Sequence, residues 1–204
     1  MNFEILKNLN IELNDKTKND LLEWKKLFLE YNSHTNLMSK NDTDVLFEKH
    51  VYDSLAINLW QDFKNYKKIL DVGCGGGFPS VILAICFKNK KIIANDSRIK
   101  KINFIKEIKE KLNLENLEII YSRIEEVKPL NVDLIVSRAV GKILDIYELS
   151  KKHLKKEGRF LIYKAKTVQD EIEEFQKKYK FKFQIIPYEL PLNENFERNL
   201  VIML

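Results

Sequence analysis

Four of the six glycines in this chain, Gly73, Gly75, Gly76 and Gly77, fall directly after the apolar run Ile69-Leu70-Asp71-Val72 and shortly before a second apolar run that begins at Val81. In a glycine-poor chain such a cluster marks a place where the backbone must turn tightly or be approached closely. A short strand, a glycine turn and an apolar helix over residues 81–87 form the opening unit of a parallel α/β sheet. The rest of the pattern repeats that alternation. Strands are predicted at residues 92–94, 117–121, 132–137 and 159–163, with helices at 100–112, 144–154 and 167–179, and two closing strands at 181–187 and 199–204. This predicts an α/β fold with a mostly parallel, seven-stranded sheet and helices on both faces.

Residues 1–67 follow a different rule. Leu21, Trp24, Phe28 and Tyr31 recur at helical spacing, as do Phe47, Val51 and Leu55. Residues 32–44 between them are polar and read as a loop, with Asn41-Asp42-Thr43-Asp44 offering helix N-caps. The expected organisation is an N-terminal helical cap, residues 1–67, packed on a core of residues 68–204. Phe3, Leu6, Leu9, Trp24 and Phe28 read as core positions of that cap.

A chain of 204 residues with 45% hydrophobic and 32% charged residues belongs to a globular protein. Two cysteines, Cys74 and Cys86, make no disulfide framework, and His34, His50 and His153 have no metal-ligand spacing. No apolar run reaches the ~20 residues of a membrane span. The start Met1-Asn2-Phe3-Glu4 lacks the basic and apolar regions of a signal peptide. A cytoplasmic monomer without metal is the expectation.

The glycine turn also bears on the ligand. A dinucleotide fingerprint, G-x-G-x-x-G, fails when counted from Gly73, because Phe78 stands at its last position; counted from Gly75 it ends on Ser80. Asp71, just before the turn, would repel a pyrophosphate but suits the ammonium group of S-adenosylmethionine. Asp96 ends the second strand at the offset of a ribose-binding carboxylate. Asp71, Gly75 and Asp96 are therefore cofactor-site candidates, against the plainer reading of a structural turn in which Asp71 only caps a helix.

Each later strand then delivers cations to the same edge of the sheet: Arg98, Lys100 and Lys101, then Arg123, Arg138, Lys164 and Lys166. With a net charge of +5, this placement points to an anionic acceptor, and to RNA phosphate before others. Ordinary surface charge is the alternative. Strand four ends Ser137-Arg138-Ala139-Val140, not the Pro-Pro-aromatic turn that grips an exocyclic amine, and no cysteine lies beyond it to act as nucleophile. An acceptor atom that is already nucleophilic, such as guanine N7, needs positioning only.

Several blocks together carry a resemblance: Thr35-Asn36-Leu37-Met38-Ser39, His50-Val51-Tyr52-Asp53-Ser54, the glycine turn with Phe78-Pro79, Asp96-Ser97, Ser122-Arg123-Ile124-Glu125-Glu126, Ser137-Arg138-Ala139, Gly158-Arg159-Phe160 and Glu197-Arg198-Asn199-Leu200. The chain resembles the glucose-inhibited division protein B family of bacterial small-subunit ribosomal RNA methyltransferases, nearly end to end. The resemblance implies a Rossmann-like class I S-adenosylmethionine-dependent methyltransferase acting on N7 of one guanine in 16S ribosomal RNA, on the 30S subunit or its assembly intermediate. It implies that Gly73, Phe78, Ile124, Glu125 and Arg138 line the cofactor site. Two residues depart from the family pattern: Ser80 where glycine is usual, and Asn95 where an apolar residue is usual. These bear on cofactor affinity, not on reaction type.

Arg123 and Arg138 are expected to position the acceptor without a general base. RNA contacts are expected from Asn36, His50, Arg98, Lys100, Arg123, Lys164, Lys166 and Arg198. For Asn36 and His50 a loop-closing or structural hydrogen bond is the alternative, and for Phe78 core packing. A small-molecule methyltransferase, a nicotinamide oxidoreductase and a non-catalytic RNA-binding assembly factor are the competing classes.

Overall fold

The computed structural model describes residues 1–35, 37–138, 140–192 and 196–204. Among them, seven strands form one sheet: β1 (Lys68–Val72), β2 (Lys91–Asp96), β3 (Leu117–Tyr121), β4 (Val132–Arg138), β5 (Leu154–Ala165), β6 (Phe183–Leu190) and β7 (Phe196–Met203). Their order across the sheet is β3-β2-β1-β4-β5-β7-β6. The first five strands run parallel, and β7 is antiparallel to both β5 and β6. Strand order reverses between β1 and β4, so a crevice opens beyond the carboxyl ends of those two strands.

Side chains alternate across the strands, and the two faces build two cores. Ile69, Ile92, Ala94, Leu134, Val136, Leu161, Leu200 and Ile202 join one apolar cluster. Leu70, Val72, Ile93, Ile135, Phe160, Ile162, Val201 and Met203 join the other. On the first face lie α4 (Ser80–Cys86) and α5 (Ile99–Lys111), and on the second α6 (Ile143–Ser150) and α7 (Gln169–Gln176).

The N-terminal segment adds to the first face only. A 3-10 helix over Phe3–Leu9, a long helix (Asp15–Thr35), a short one (Lys40–Asp44), a π-helical turn (Leu46–Val51) and one further turn (Tyr52–Leu55) precede the sheet. They are the first three α-helices, α1 (Asp15–Thr35), α2 (Lys40–Asp44) and α3 (Tyr52–Leu55), with their irregular links. Leu6, Leu9, Leu21, Trp24, Phe28, Phe47 and Val51 are almost wholly buried in the same cluster as α4 and α5. Phe28 sits at the centre, with its ring 5.5 Å from Trp24, 5.6 Å from Phe78 and 5.4 Å from Phe104. None of the helices is long and apolar enough to cross a membrane, among the described residues.

Element boundaries differ from the sequence expectation where side chains compete with periodicity. The stretch 32–44 is mostly not a loop: α1 continues to Thr35, and α2 starts at Lys40. Ser39, not the expected Asn41–Asp44 group, is its N-cap, its Oγ accepting the Asp42 N–H at 3.2 Å. Asn32 closes the connection by accepting the Met38 N–H at 2.8 Å and donating to the Met38 carbonyl at 3.1 Å. The helix expected at 144–154 is α-helical to Ser150 and tightens to a 3-10 turn over Lys151–His153, where the buried His153 bonds the Ile124 carbonyl as the chain enters β5. The closing strands are shifted as well: β6 runs on to Leu190 and β7 starts at Phe196, since the polar pairs Tyr188 with Arg198 and Glu189 with Glu197 continue the hairpin ladder.

Removing the central ring of the shared core loosens the cap and the sheet together. Phe28→Ala is expected to cost about 3–5 kcal/mol, read as a lower urea midpoint at an unchanged slope; a loss under about 1 kcal/mol would show that the cap does not support the sheet.

Candidate functional site

The glycine turn leaves β1 in left-handed backbone that only glycine adopts without strain. Gly73 has φ +72° and Gly77 φ +91°, and a Cβ on either would come within 2.5 Å of the Val140 or Val81 side chain. Gly75 also has positive φ, but its Cβ would make only ordinary van der Waals contact, 3.8 Å from Arg98 Nη2. Its amide donates to Asp96 Oδ2 at 2.9 Å, and the Cys74 amide donates to the Asn95 carbonyl at 2.9 Å. The turn is thereby stitched to the end of β2.

Asp71 takes the plainer of its two sequence readings. It lies beneath the turn, fully buried, and does not line a cavity. Its Oδ2 accepts the Ser80 N–H at 3.0 Å, so it caps the start of α4, while Oδ1 has no hydrogen-bond partner among the described residues. Burial raises its pKa to about 7, against the lowering pull of the Ser80 bonds. The helix-cap alternative thus describes the geometry.

Beside the turn lies a cavity of about 380 Å³. Its floor is Val72, Gly73, Asn95 and Asp96; its rim carries Arg98, Arg123, Glu125 and Leu149. Asp96 has 3% of its surface exposed and accepts four hydrogen bonds: from the Arg98 N–H and Nε to Oδ1, both at 2.9 Å, and from Gly75 N–H at 2.9 Å and Arg98 Nη2 at 2.8 Å to Oδ2. Burial pushes this carboxyl up, yet the bonds from Arg98 and Gly75 outweigh it and hold the pKa below the ordinary value.

Two residues outside the sequence expectation hold the far wall. Asn95 donates from Nδ2 to the carbonyls of Ile120, at 3.2 Å, and Ser122, at 2.9 Å, pinning the exit of β3. His153 bonds the Ile124 carbonyl at 3.0 Å from behind. Between them Ile124 presents an apolar side, 4% exposed, to the cavity. The polar Asn95 is therefore a brace and not a defect. His153 carried no legible signal, because its partner is a backbone carbonyl 29 residues away.

A second cavity, about 160 Å³, is lined by Lys49, His50, Asp53, Arg138, Leu190, Phe196 and Arg198. Asp53, 3% exposed, accepts from Arg138 Nη1 at 3.0 Å, from Arg198 Nε at 3.3 Å and Nη2 at 3.4 Å, and from the Tyr188 hydroxyl. Arg138 also reaches the His50 carbonyl at 3.4 Å and His50 Nδ1 at 3.1 Å, and lies over the Phe78 ring at 4.8 Å. Since a guanidinium only donates, His50 Nδ1 accepts and the ring proton sits on Nε2. Burial, with the Arg138 charge, lowers the His50 pKa to about 4. The imidazole is neutral at physiological pH.

The expected site residues divide accordingly. Gly73, Asp96, Ile124, Glu125, Arg98 and Arg123 meet at the first cavity. Arg138, expected beside the cofactor, faces the second cavity with His50 and Arg198. Phe78 is 5% exposed and packs against Trp24, Phe28 and His50, which makes it a core residue under Arg138. Lys164 is spent internally, on Glu171 at 2.7 Å and the Gly141 carbonyl at 2.6 Å, with 12% of its side chain exposed. Lys166 pairs with Glu197 at 2.8 Å on the surface. Arg123 is 70% exposed and 3.9 Å from Glu125, and Lys100 is exposed with no ion pair among the described residues. Asn36 lies outside the described residues.

Known proteins share both the sequence and the architecture. Residues 17–201 match the family described as rRNA small subunit methyltransferase G. A ribosomal RNA small subunit methyltransferase G of Listeria innocua is 32% identical over 202 residues, covering 95% of this chain and 84% of that protein. One from Staphylococcus aureus is 35% identical over 175 residues, covering 84% and 73%. Among solved structures, a SAM dependent methyltransferase from Aquifex aeolicus superposes with a TM-score of 0.61 at 19% identity, over 80% of this chain and 95% of that one. The M1A22 tRNA methyltransferase TrmK of B. subtilis follows with 0.59 at 18% identity, over 76% and 65%. These two likenesses concern the fold. With a family match over most of its length and relatives above 30% identity, the chain belongs to the rRNA small subunit methyltransferase G (GidB) family.

Proposed function

We propose that this protein transfers a methyl group from S-adenosylmethionine to N7 of a guanine in the 16S ribosomal RNA of the small subunit, acting as a cytoplasmic monomer with residues 1–67 as a cap on the catalytic core. The observation that supports it most is the buried Asp96 carboxylate, held at the end of β2 beside a glycine turn and facing a cavity of about 380 Å³, in a member of this family. The residues present fit the cofactor. Asp96 offers a carboxylate to the ribose hydroxyls, Ile124 an apolar wall to the adenine, and Gly73 a backbone without side chain to the methionine end. The cofactor supplies a methyl group on a positively charged sulfur.

What the chain itself does is bind and orient. The acceptor guanine is assigned to the mouth of the second cavity, whose guanidinium groups are fixed in advance: Asp53 holds Arg138 and Arg198, and Tyr188 steadies Asp53. A fixed donor costs little reorganisation when it meets a phosphate or a base edge. Guanine N7 has its own lone pair, so no proton leaves before attack. The neutral His50, its Nδ1 committed to Arg138, holds that arginine and takes no proton. Phosphate contacts fall to the exposed Arg123 at the rim of the first cavity, to the exposed Lys100 on the first turn of α5, and to Arg198 in the second cavity.

The cofactor assignment is tested at Asp96. Asp96→Ala is expected to weaken S-adenosylhomocysteine binding by about tenfold to a hundredfold, the loss of ~1.5–3 kcal/mol of charge-assisted hydrogen bonding. Isothermal titration measures it, and an unchanged dissociation constant would remove Asp96 from the site.

The base-free mechanism makes two pH statements. Single-turnover methylation with saturating RNA and cofactor is expected to be flat between roughly pH 6 and 9, and a rise lost in His50→Ala would make His50 a base. Stability behaves differently. Folded His50 stays neutral down to about 4 while the unfolded side chain protonates near the ordinary histidine value of 6.5. The unfolded state therefore binds more protons in this window, and the His50 contribution is complete above 6.5 and is lost as pH falls toward about 4. The drop in urea midpoint across that window is expected to shrink in His50→Asn.

Salt dependence separates exposed, loosely paired cations from buried, tightly paired ones. Arg123→Ala is expected to flatten the log–log salt slope of RNA binding by up to about 0.9, whereas Lys164→Ala leaves it unchanged because Glu171 already neutralises that lysine. Equal effects of the two substitutions would overturn this division.

A further inference from the structure

Asp96 is fully occupied by its own chain. Two carboxylate oxygens present about four in-plane acceptor positions, and all are taken, by Gly75 N–H, Arg98 N–H, Arg98 Nε and Arg98 Nη2. The two backbone donors belong to the turn and to the start of α5, which are built into the fold. The two side-chain donors belong to one arginine that is 64% exposed and lines the cavity. A Cβ at Gly75 would lie 3.8 Å from Arg98 Nη2, so the guanidinium also lies near the open face of the glycine turn. A ribose diol needs two of these positions, and only the Arg98 side chain is free to yield them.

We propose that Arg98 is a latch: its guanidinium holds the ribose-binding carboxylate in the cofactor-free protein, and the cofactor, on taking Asp96, releases Arg98 to bind an RNA phosphate. The inference rests on the cofactor reading of the first cavity. The released side chain stands on the same rim as Arg123, 70% exposed and only loosely paired with Glu125 at 3.9 Å, and two residues before Lys100, which is exposed and has no ion pair among the described residues. Cofactor binding thus turns a neutral Arg98–Asp96 pair into an exposed phosphate-binding cation. The consequence is a reciprocal coupling: cofactor strengthens RNA binding, and RNA strengthens cofactor binding by the same factor.

The test uses Arg98→Met, which keeps an unbranched side chain and removes the charge. Arg98 is on the surface, and a thermal midpoint close to that of the parent protein checks the fold. By isothermal titration, Arg98→Met is expected to bind S-adenosylhomocysteine about two- to fivefold more tightly than the parent, since no exposed ion pair has to open. In the parent, saturating S-adenosylhomocysteine is expected to steepen the salt slope for a small-subunit ribosomal RNA fragment by about 0.7–0.9, and in Arg98→Met to leave it unchanged. An equal or weaker affinity in Arg98→Met, or a parent slope indifferent to S-adenosylhomocysteine, overturns the latch while leaving the cofactor site intact. A parent protein that binds no S-adenosylhomocysteine overturns the cofactor reading itself, and the latch with it.

Discussion

The buried carboxylate of Asp53 ties the N-terminal cap to three strands of the sheet at a single point. It comes from α3 in the N-terminal cap and accepts bonds from Arg138 at the end of β4, from Arg198 on β7 and from Tyr188 on β6. A charged group out of water is tolerated only when paired and hydrogen-bonded, and removing one partner strands the rest. The cluster therefore fixes where the cap sits on the sheet, where the closing hairpin lies, and where two guanidinium groups point. The second cavity is the space these constraints leave between them.

The first cavity rests on a different division of labour between two aspartates. Asp71 and Asp96 both lie at or near the end of a central strand beside the same turn. Asp71 lies one residue before the end of β1, paired in register with Ala94 and Val136, and is covered on both sides. Its one strong partner is the first amide of α4, so it organises the turn from below. Asp96 is the last residue of β2 and reaches the cavity. One places the backbone and the other lines the cavity.

Charge follows the same logic. A net charge of +5 and a cation at the end of each later strand look in one dimension like a continuous phosphate-binding edge. In three dimensions Glu171, Glu197, Asp53 and Asp96 answer Lys164, Lys166, Arg198 and Arg98. The field that remains comes from a smaller set, and in Arg98 it is conditional on what Asp96 holds.

The sequence by itself determined the α/β alternation, the two-sided burial of the strands, the position of the glycine turn and Asp96 as a cavity acid, because periodicity, glycine backbone freedom and strand-end placement are local properties of the chain. The His50, Ser137 and Glu197 blocks were legible as special, but not as neighbours. Only the tertiary structure decided that Arg138 belongs with His50 and Arg198, that Phe78 is core, that Asp71 caps a helix, and that Asn95 and His153 brace the Ile124 wall. Each of these depends on a partner brought in from a distant part of the chain, from nine residues away for Asp71 to 145 for the Asp53–Arg198 pair. Which donor a carboxylate receives is set by packing, and packing is not written in the spacing of residues along the chain.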